Sequence, residues 1–418
     1  MKRFQGKKLL VISSEKKDES FVKIAQEMGA YVICCDRYTD YNISKAKKLA
    51  DESWDIDYNN TDEIVKKCKE QEINGVIAGY SEDRVLAAEK IARKLGTSFY
   101  ANEQQIEFTR NKLKFKNACK KLGIKIPQSY PISYNPEEIK FPVIVKPVDG
   151  CGRKGISICY TPQDLEKAKK LATSNSKNGD ILIEEYIKGK ELISIYTIKN
   201  GEYSLSCVND KYVSEDPEGP TLCDLVVSPS SYLENYIKEV DPGIKGLLKE
   251  IGAKNGVANF QFIANDSGIY AFEMGYRTNG NDDWKNIEKY NGLNFIKMLV
   301  SHSLTGEMEG DIKKDNPNFP EYSVTLCGYL KPGEIGRIEK NNLENINNIF
   351  DISFTKSIGN IIPNVSNNAR KAYLIKFTSK TLDEVASIIK DIQKNIKITD
   401  TESNDMLLKK FDTKRLFS

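Results

Sequence analysis

The chain has 418 residues, with 62 basic and 59 acidic side chains and a formal net charge of +3. That length exceeds one ordinary domain of roughly 100–200 residues and is enough to bury a sizeable core. Opposite charges are interspersed, which excludes the clustered basic footprint of a nucleic-acid binder, and no apolar run reaches the length of a membrane span.

The start, MKRFQGKKLLVISSEKK, carries an apolar run too short for a signal peptide. Nine cysteines, with no C-x-x-C and no zinc spacing, read as reduced thiols in a cytoplasm. The only histidine is His302, in LVSHSLTG, where nothing supports a nucleophilic triad. It reads as a helix-end residue, and a histidine-rich metal site is excluded. Chemistry must therefore run on lysine, arginine, carboxylates and an oxygen-loving cation.

Residues 7–105 alternate strand and helix. KKLLVIS, YVICCD and NGVIAGY read as strands; ESFVKIAQEMGA, TDEIVKKCKEQEI and RVLAAEKIARKLG read as helices, with Gly29 and Gly96 as stops. Repeated βα units imply an α/β, Rossmann-like parallel sheet. The first strand-to-helix turn, SSEKKDES, has no glycine, so a dinucleotide fingerprint is missing there. Asp36, Ser81, Glu82 and Asp83 fall at strand ends, where ligands usually bind; turn and helix-cap duty is the plainer role for them.

Residues 106–315 have a different grain. One basic helix, TRNKLKFKNACKKLG, leads to the strands FPVIVKPV and GISICY, a helix opened by Thr161-Pro162, and the strand DILIEEYI. ELISIYTIKNGEYSLSCVND reads as a hairpin turning at Asn200-Gly201. The segment 209–224, with Pro217, Gly219 and Pro220, reads as a loop beside the acceptor pocket or as an ordinary surface connection. Helix follows around 230–251, and GVANFQFIANDSGIYAFEMGYR closes as a hairpin turning at NDSG. Residues 316–418 read as a small α+β unit, with SVTLCGYL and KAYLIKFT as strands and TLDEVASIIKDIQKNI as a helix.

VIVKPVDGCGRKGISICY contains G-C-G-R-K-G, a match to G-x-G-x-x-G. A dinucleotide loop joins a strand to a helix, whereas both flanks here read as strand. Gly150, Gly152 and Gly155 thus form the tip of a β-hairpin, whose backbone N–H groups can close over phosphate oxygens. Arg153 and Lys154 add charge at the tip, and Lys146 ends the preceding strand. Glu184, Glu185 and Glu191 sit in apolar strands where a carboxylate needs a reason. A nucleotide offers one: backbone groups from Glu185 through Tyr186 to Ile187 could read an adenine edge, and Glu191 could hold ribose hydroxyls. Gln261 and Glu273 fall nearly opposite each other across the NDSG hairpin, a pairing that suits Mg²⁺. Arg277 follows Glu273 by four residues and could stabilise charge during phosphoryl transfer.

The ordered set T-R-N-K (109–112), V-I-V-K-P-V-D-G-C-G-R-K-G (143–155), L-I-E-E-Y-I-K-G-K-E (182–191), N-F-Q-F-I (259–263) and A-F-E-M-G-Y-R (271–277) resembles the ATP-grasp superfamily. The resemblance is closest to its carboxylate–amine ligases and carbamoyl-phosphate-synthase-like relatives. It implies a pre-ATP-grasp domain (1–105), a two-lobed ATP-grasp module (106–315) and a C-terminal cap (316–418) completing the active site. P-G-E-I-G-R-I (332–338) is similar to the small C-terminal domain of amino-acid ligases.

By position, the resemblance places Lys112 and Lys146 on ATP phosphates, residues 150–155 as a flap over them, Glu184 with the backbone of 185–187 at the adenine hinge, and Glu191 at the ribose. Gln261 and Glu273 would hold Mg²⁺, with Mn²⁺ as an alternative, and Arg277 and Lys146 would serve catalysis. The implied reaction is ATP-dependent joining of a carboxylate, such as an amino acid, to an amine or thiol through an acyl phosphate. Small molecules are the expected partners, with no nucleic acid or membrane; similar proteins are commonly dimers. The family usually reads E-x-N-x-R, with the asparagine a metal ligand; here Gly275 takes its place. Asn279, Asn281 or Asp282 could substitute, or the protein could be a regulatory ATP binder with one metal position lost. Phosphorylation of bicarbonate is a third reading.

Overall fold

The computed structural model describes residues 3–417 apart from 134–137, 150–154, 217–218 and 365–367. The expectations for Gly150, Gly152, Arg153 and Lys154 therefore lie outside the described residues. The N-terminal unit runs β1 (Lys8–Ile12), α1 (Glu19–Met28), β2 (Tyr31–Cys35), β3 (Glu52–Trp54), α2 (Thr61–Glu70), β4 (Gly75–Ile77) and α3 (Glu82–Leu95). Its parallel sheet has the order β3-β2-β1-β4. Leu9, Leu10 and Val11 are fully buried, as expected of a strand covered on both faces. Gly29 and Gly96 end their helices with φ of +100° and +71°, the left-handed stop that favours glycine. Strand β3, only three residues with no apolar run, escapes sequence reading.

The single basic helix expected from Thr109 onward is two: α4 (Glu103–Arg110) and α5 (Lys112–Lys121). Asn111 between them is extended (φ −95°, ψ 101°), and its side chain accepts from the Lys114 amide, capping α5. The smaller lobe follows: β5 (Ser129–Tyr130), β6 (Val143–Pro147), β7 (Ser157–Cys159), α6 (Pro162–Ser174) and β8 (Ile181–Glu185), with sheet order β5-β8-β6-β7. β6 and β7 pair antiparallel on either side of the glycine-rich segment, so that segment joins strand to strand. Helix α6 starts only later, behind a Thr161 capping box. Gly155 has φ +73°, and a Cβ there would lie 2.7 Å from Asn175 Cβ, so only glycine fits.

A larger sheet is built from β9 (Lys190–Lys199), β10 (Glu202–Asp216), β11 (Gly219–Ser228), β12 (Gly256–Asn265) and β13 (Gly268–Gly275). Helices α7 (Leu233–Glu239), α8 (Asp241–Glu250), α9 (Trp284–Asn291) and α10 (Phe295–Thr305) lie between or after these strands in sequence. Beyond them come β14 (Tyr322–Tyr329), β15 (Gly333–Lys340), β16 (Ile349–Phe354), β17 (Ile361–Ile362), β18 (Lys371–Ser379), α11 (Leu382–Asn395) and β19 (Ile396–Asp400). Eight strands form one sheet, β13-β12-β9-β10-β11-β14-β18-β16; β17-β15-β19 form a small second one. The loop expected over 209–224 is instead a hairpin, paired from Asp210↔Val227 to Asp216↔Gly219. β9 accompanies β10 only as far as Lys211 and β14 joins β11 only from Leu225, so between those points the two arms pair with each other. Among the described residues no helix is long and apolar enough to cross a membrane.

Candidate active site

Glu184 is the most deeply placed charge in the smaller lobe, with no exposed surface. It pairs with Lys146 Nζ at 2.5 Å and with Lys116, while Ser129 Oγ donates to it at 3.3 Å. β8 supplies the carboxylate, β6 supplies Lys146 and α5 supplies Lys116. Burial alone would raise the Glu184 carboxyl; the two ammonium groups outweigh it and hold it below its ordinary value. Burial, then the neighbouring Lys146 charge, pushes Lys116 down to about 8. A buried carboxylate that already has two cations has its reason within the protein. Lys116 was not singled out in the sequence; a lysine on the buried face of an amphipathic helix was the available signal.

One residue after β8 the backbone turns. The Glu185 amide donates to Gln128 O and the Tyr186 amide to Pro142 O. The Ile187 amide, on a residue 8% exposed, donates to no group among the described residues. Buried backbone donors are nearly always paired, so this hinge offers one N–H to an acceptor from outside. Glu191 faces Lys211 across β9 and β10 at 2.6 Å.

Gln261 and Glu273 are register partners on β12 and β13, and the Gln261 amide donates to Glu273 Oε2 at 3.4 Å. Glu273, Lys112 and Glu82 line one narrow cavity of about 20 Å³, room for about one water. This cavity shares Asp83, Arg110 and Asp149 with an open cleft of about 610 Å³. Arg277 points its Nε and Nη2 at Glu82 Oε1, both at 2.9 Å, and its Nη1 at Thr278 O. Asp149 accepts from Ser176 Oγ at 2.8 Å and from the Lys177 amide, tying the base of the glycine hairpin to the segment after α6. Among the described residues no three His, Cys, Asp or Glu side chains converge as a metal group. One carboxylate beside an amide oxygen suits Mg²⁺, which takes few protein ligands and completes its shell with phosphates and water. The donor set fits such a cation.

The three residues named as substitutes for a side chain at 275 are engaged elsewhere. Asn279 donates to Asp283 Oδ2 at 2.5 Å, Asn281 Oδ1 accepts from Lys371, and Asp282 Oδ1 accepts from Tyr80. Of the strand-end residues, Glu82 holds Arg277, Asp83 pairs with Arg110 at 2.8 Å, and Asp36 lies 3.6 Å from Arg84. Ser81 precedes α3 without a side-chain cap. His302 closes α10, buried, as its position suggested.

Residues 109–281 match the family model described as an ATP-grasp domain. The chain is 31% identical over 287 residues to a formate-dependent phosphoribosylglycinamide formyltransferase from Bacteroides fragilis, covering 65% of this chain and 70% of that protein. It is 31% identical over 209 residues to the enzyme of the same name from Prochlorococcus marinus, covering 47% of this chain and 51% of that one. The chain thus spans about half the length of the Prochlorococcus relative. Among solved structures, an L-amino acid ligase from Bacillus licheniformis superposes with a TM-score of 0.78 at 16% identity, covering 95% of this chain and 99% of that one. The biotin carboxylase domain of Hydrogenobacter thermophilus 2-oxoglutarate carboxylase, in complex with MgADP and bicarbonate, gives 0.78 at 18% identity, covering 96% and 91%.

Proposed function

Because the chain belongs to the ATP-grasp family of ligases, we propose that it joins a small carboxylate, such as an amino acid, to an amine or thiol at the expense of ATP. The observation that carries this reading is the convergence of Lys112, Glu273 and Glu82 on one cavity, with Arg277 bonded to Glu82. In the reaction, a carboxylate oxygen attacks the γ-phosphorus and the bond to ADP breaks. The amine nitrogen then attacks the acyl carbon, the C–O bond to phosphate breaks, and the nitrogen loses a proton. No covalent protein intermediate is needed; the chain supplies positioning and charge.

Lys112 and Lys146 stand for the phosphates, the Ile187 amide for the adenine edge and Glu191 for the ribose. Gln261 and Glu273 would hold Mg²⁺, which neutralises phosphate charge when bound. Arg277 would face the transferring phosphoryl group once Glu82 yields or shares it. The related formyltransferases carry formate in their name and the structural neighbour carries L-amino acid in its title; both support a carboxylate substrate of small size.

The test is Mg²⁺-dependent ATP turnover with pooled carboxylates and amines, resolving ADP plus phosphate from AMP plus pyrophosphate. Pool-dependent ADP that disappears in Glu273→Ala is the expected result. AMP as product would overturn the acyl-phosphate route. Saturable ATP binding with no turnover would favour the regulatory reading.

A further inference from the structure

The glycine at 275 lies where a cation ligand is expected, and its surroundings account for it. Asn259 on β12 is the register partner of Gly275 on β13, one step along the same strand face from the Gln261–Glu273 pair. Successive residues on a strand alternate faces, so these four positions form one patch. Asn259 is 4% exposed. Its amide lies over the glycine: a Cβ at 275 would sit 3.2 Å from Asn259 Nδ2 and 3.4 Å from Oδ1. A side chain at 275 would thus press on the asparagine amide and displace it by a few tenths of an ångström.

The orientation of that amide is fixed by a bond with one polarity. Asn259 Nδ2 donates to Arg277 O at 2.8 Å, and a carbonyl can only accept. The amide oxygen is therefore turned away from Arg277, and among the described residues it has no hydrogen-bond partner. We propose that Asn259 supplies, from the neighbouring strand, the third oxygen donor for the divalent cation held by Gln261 and Glu273. Gly275 is then the complement that makes room for it. One carboxylate and two amide oxygens make a weakly charged protein site, so the cation binds with the nucleotide's phosphates rather than before them. This inference rests on the nucleotide-binding reading above.

The experiment measures Mn²⁺ binding to the full-length protein with saturating ADP, by electron paramagnetic resonance of free Mn²⁺, alongside ADP binding itself by calorimetry. Asn259→Ala weakens Mn²⁺ binding by about tenfold, the scale seen when a supporting group of a metal site is removed, while ADP still binds. Asn259→Asp separates the two roles of the side chain. A carboxylate ligand keeps or tightens Mn²⁺ binding, whereas a side chain serving only to brace Arg277 O loses its donor and weakens it. Gly275→Asn crowds Asn259 and weakens binding; combined with Asn259→Gly it restores binding, because the amide has moved across the strand pair. Unchanged Mn²⁺ affinity in Asn259→Ala, weaker binding in Asn259→Asp, or a gain in Gly275→Asn alone would each overturn the proposal while leaving the ATP reading standing. A protein that binds no ADP at all overturns both.

Discussion

Glu82 on α3 and Arg277, just past β13, meet through two nitrogen–oxygen contacts of 2.9 Å although they lie 195 positions apart. The pair ties the N-terminal unit to the end of the strand carrying Glu273. It also holds the guanidinium partly buried against Glu82, itself a residue of the cavity wall. Fork-shaped donation from arginine to a carboxylate fixes direction as well as distance.

Glu82 is therefore expected to act as a positioning residue. Glu82→Gln lowers kcat roughly tenfold to a hundredfold, the scale of a misplaced reacting group, with little change in KM for ATP. Arg277→Ala costs roughly 10²–10³ in kcat if it meets developing charge. The double variant falls short of the product of the two, since the residues act as a unit. Steady-state kinetics on the four proteins checks this; full additivity would mean that the contact is only a domain brace.

Glu184 is held by two buried lysines, and removing its charge strands both. Glu184→Gln is expected to destabilise the fold by about 3–5 kcal/mol, read by urea unfolding. Asp62→Asn, which breaks an exposed pair with Lys94, serves as the control and changes stability by less than about 0.5 kcal/mol.

His302 gives a pH prediction with one readable probe. Burial pushes its imidazole below the ordinary 6.5. Among the described residues its Nδ1 has no hydrogen-bond partner, and its Nε2 lies 3.5 Å from the Asn255 amide nitrogen. The unfolded chain takes up the proton first as pH falls, so the neutral buried ring contributes stability that is present above 6.5 and lost toward the folded value. A proton NMR titration of the sole histidine is expected to give a midpoint below 6.5. His302→Gln is expected to flatten the acid side of the thermal-stability profile between those two values.

Ligand linkage supplies a fourth check. ADP with Mg²⁺ at about 100 times its Kd stabilises the protein by about 2.7 kcal/mol if it binds only the folded state. Chelating the cation is expected to shrink that gain without abolishing it, because Lys112, Lys146 and the Ile187 hinge do not depend on metal. A thermal-shift series with and without EDTA reads both terms.

What the sequence made legible follows range of interaction. The NDSG turn made the hairpin legible and put Gln261 within one residue of register with Glu273, but the exact Gln261↔Glu273 pairing comes from a bulge between Gln261 and Phe262 that no turn signal announces. The β6–β7 hairpin was readable because both flanks of the glycines are β-branched and Thr161-Pro162 marks where helix begins. The break at Asn111 was hidden, since basic helix formers lie on both sides and the cap shows only in backbone angles. The β10–β11 arms were hidden because Pro217, Gly219 and Pro220 read as turn residues in the sequence, whereas the strand pairing reaches Gly219. Lys116–Glu184, Glu82–Arg277 and Asn259 over Gly275 join separate elements, and no local pattern announces them.

The eight-stranded sheet takes three of its strands, β14, β18 and β16, from beyond residue 315. A chain cut at that point would leave β11 as a bare margin, its outward N–H and C=O groups facing water instead of Ser323–Leu326. Such a margin recruits whatever strand it meets, including its own kind. Shortened versions made to isolate the nucleotide site should therefore clump rather than bind. A library of fragments fused to a solubility reporter would draw the smallest autonomous unit with its end past Ser379, not before Tyr322.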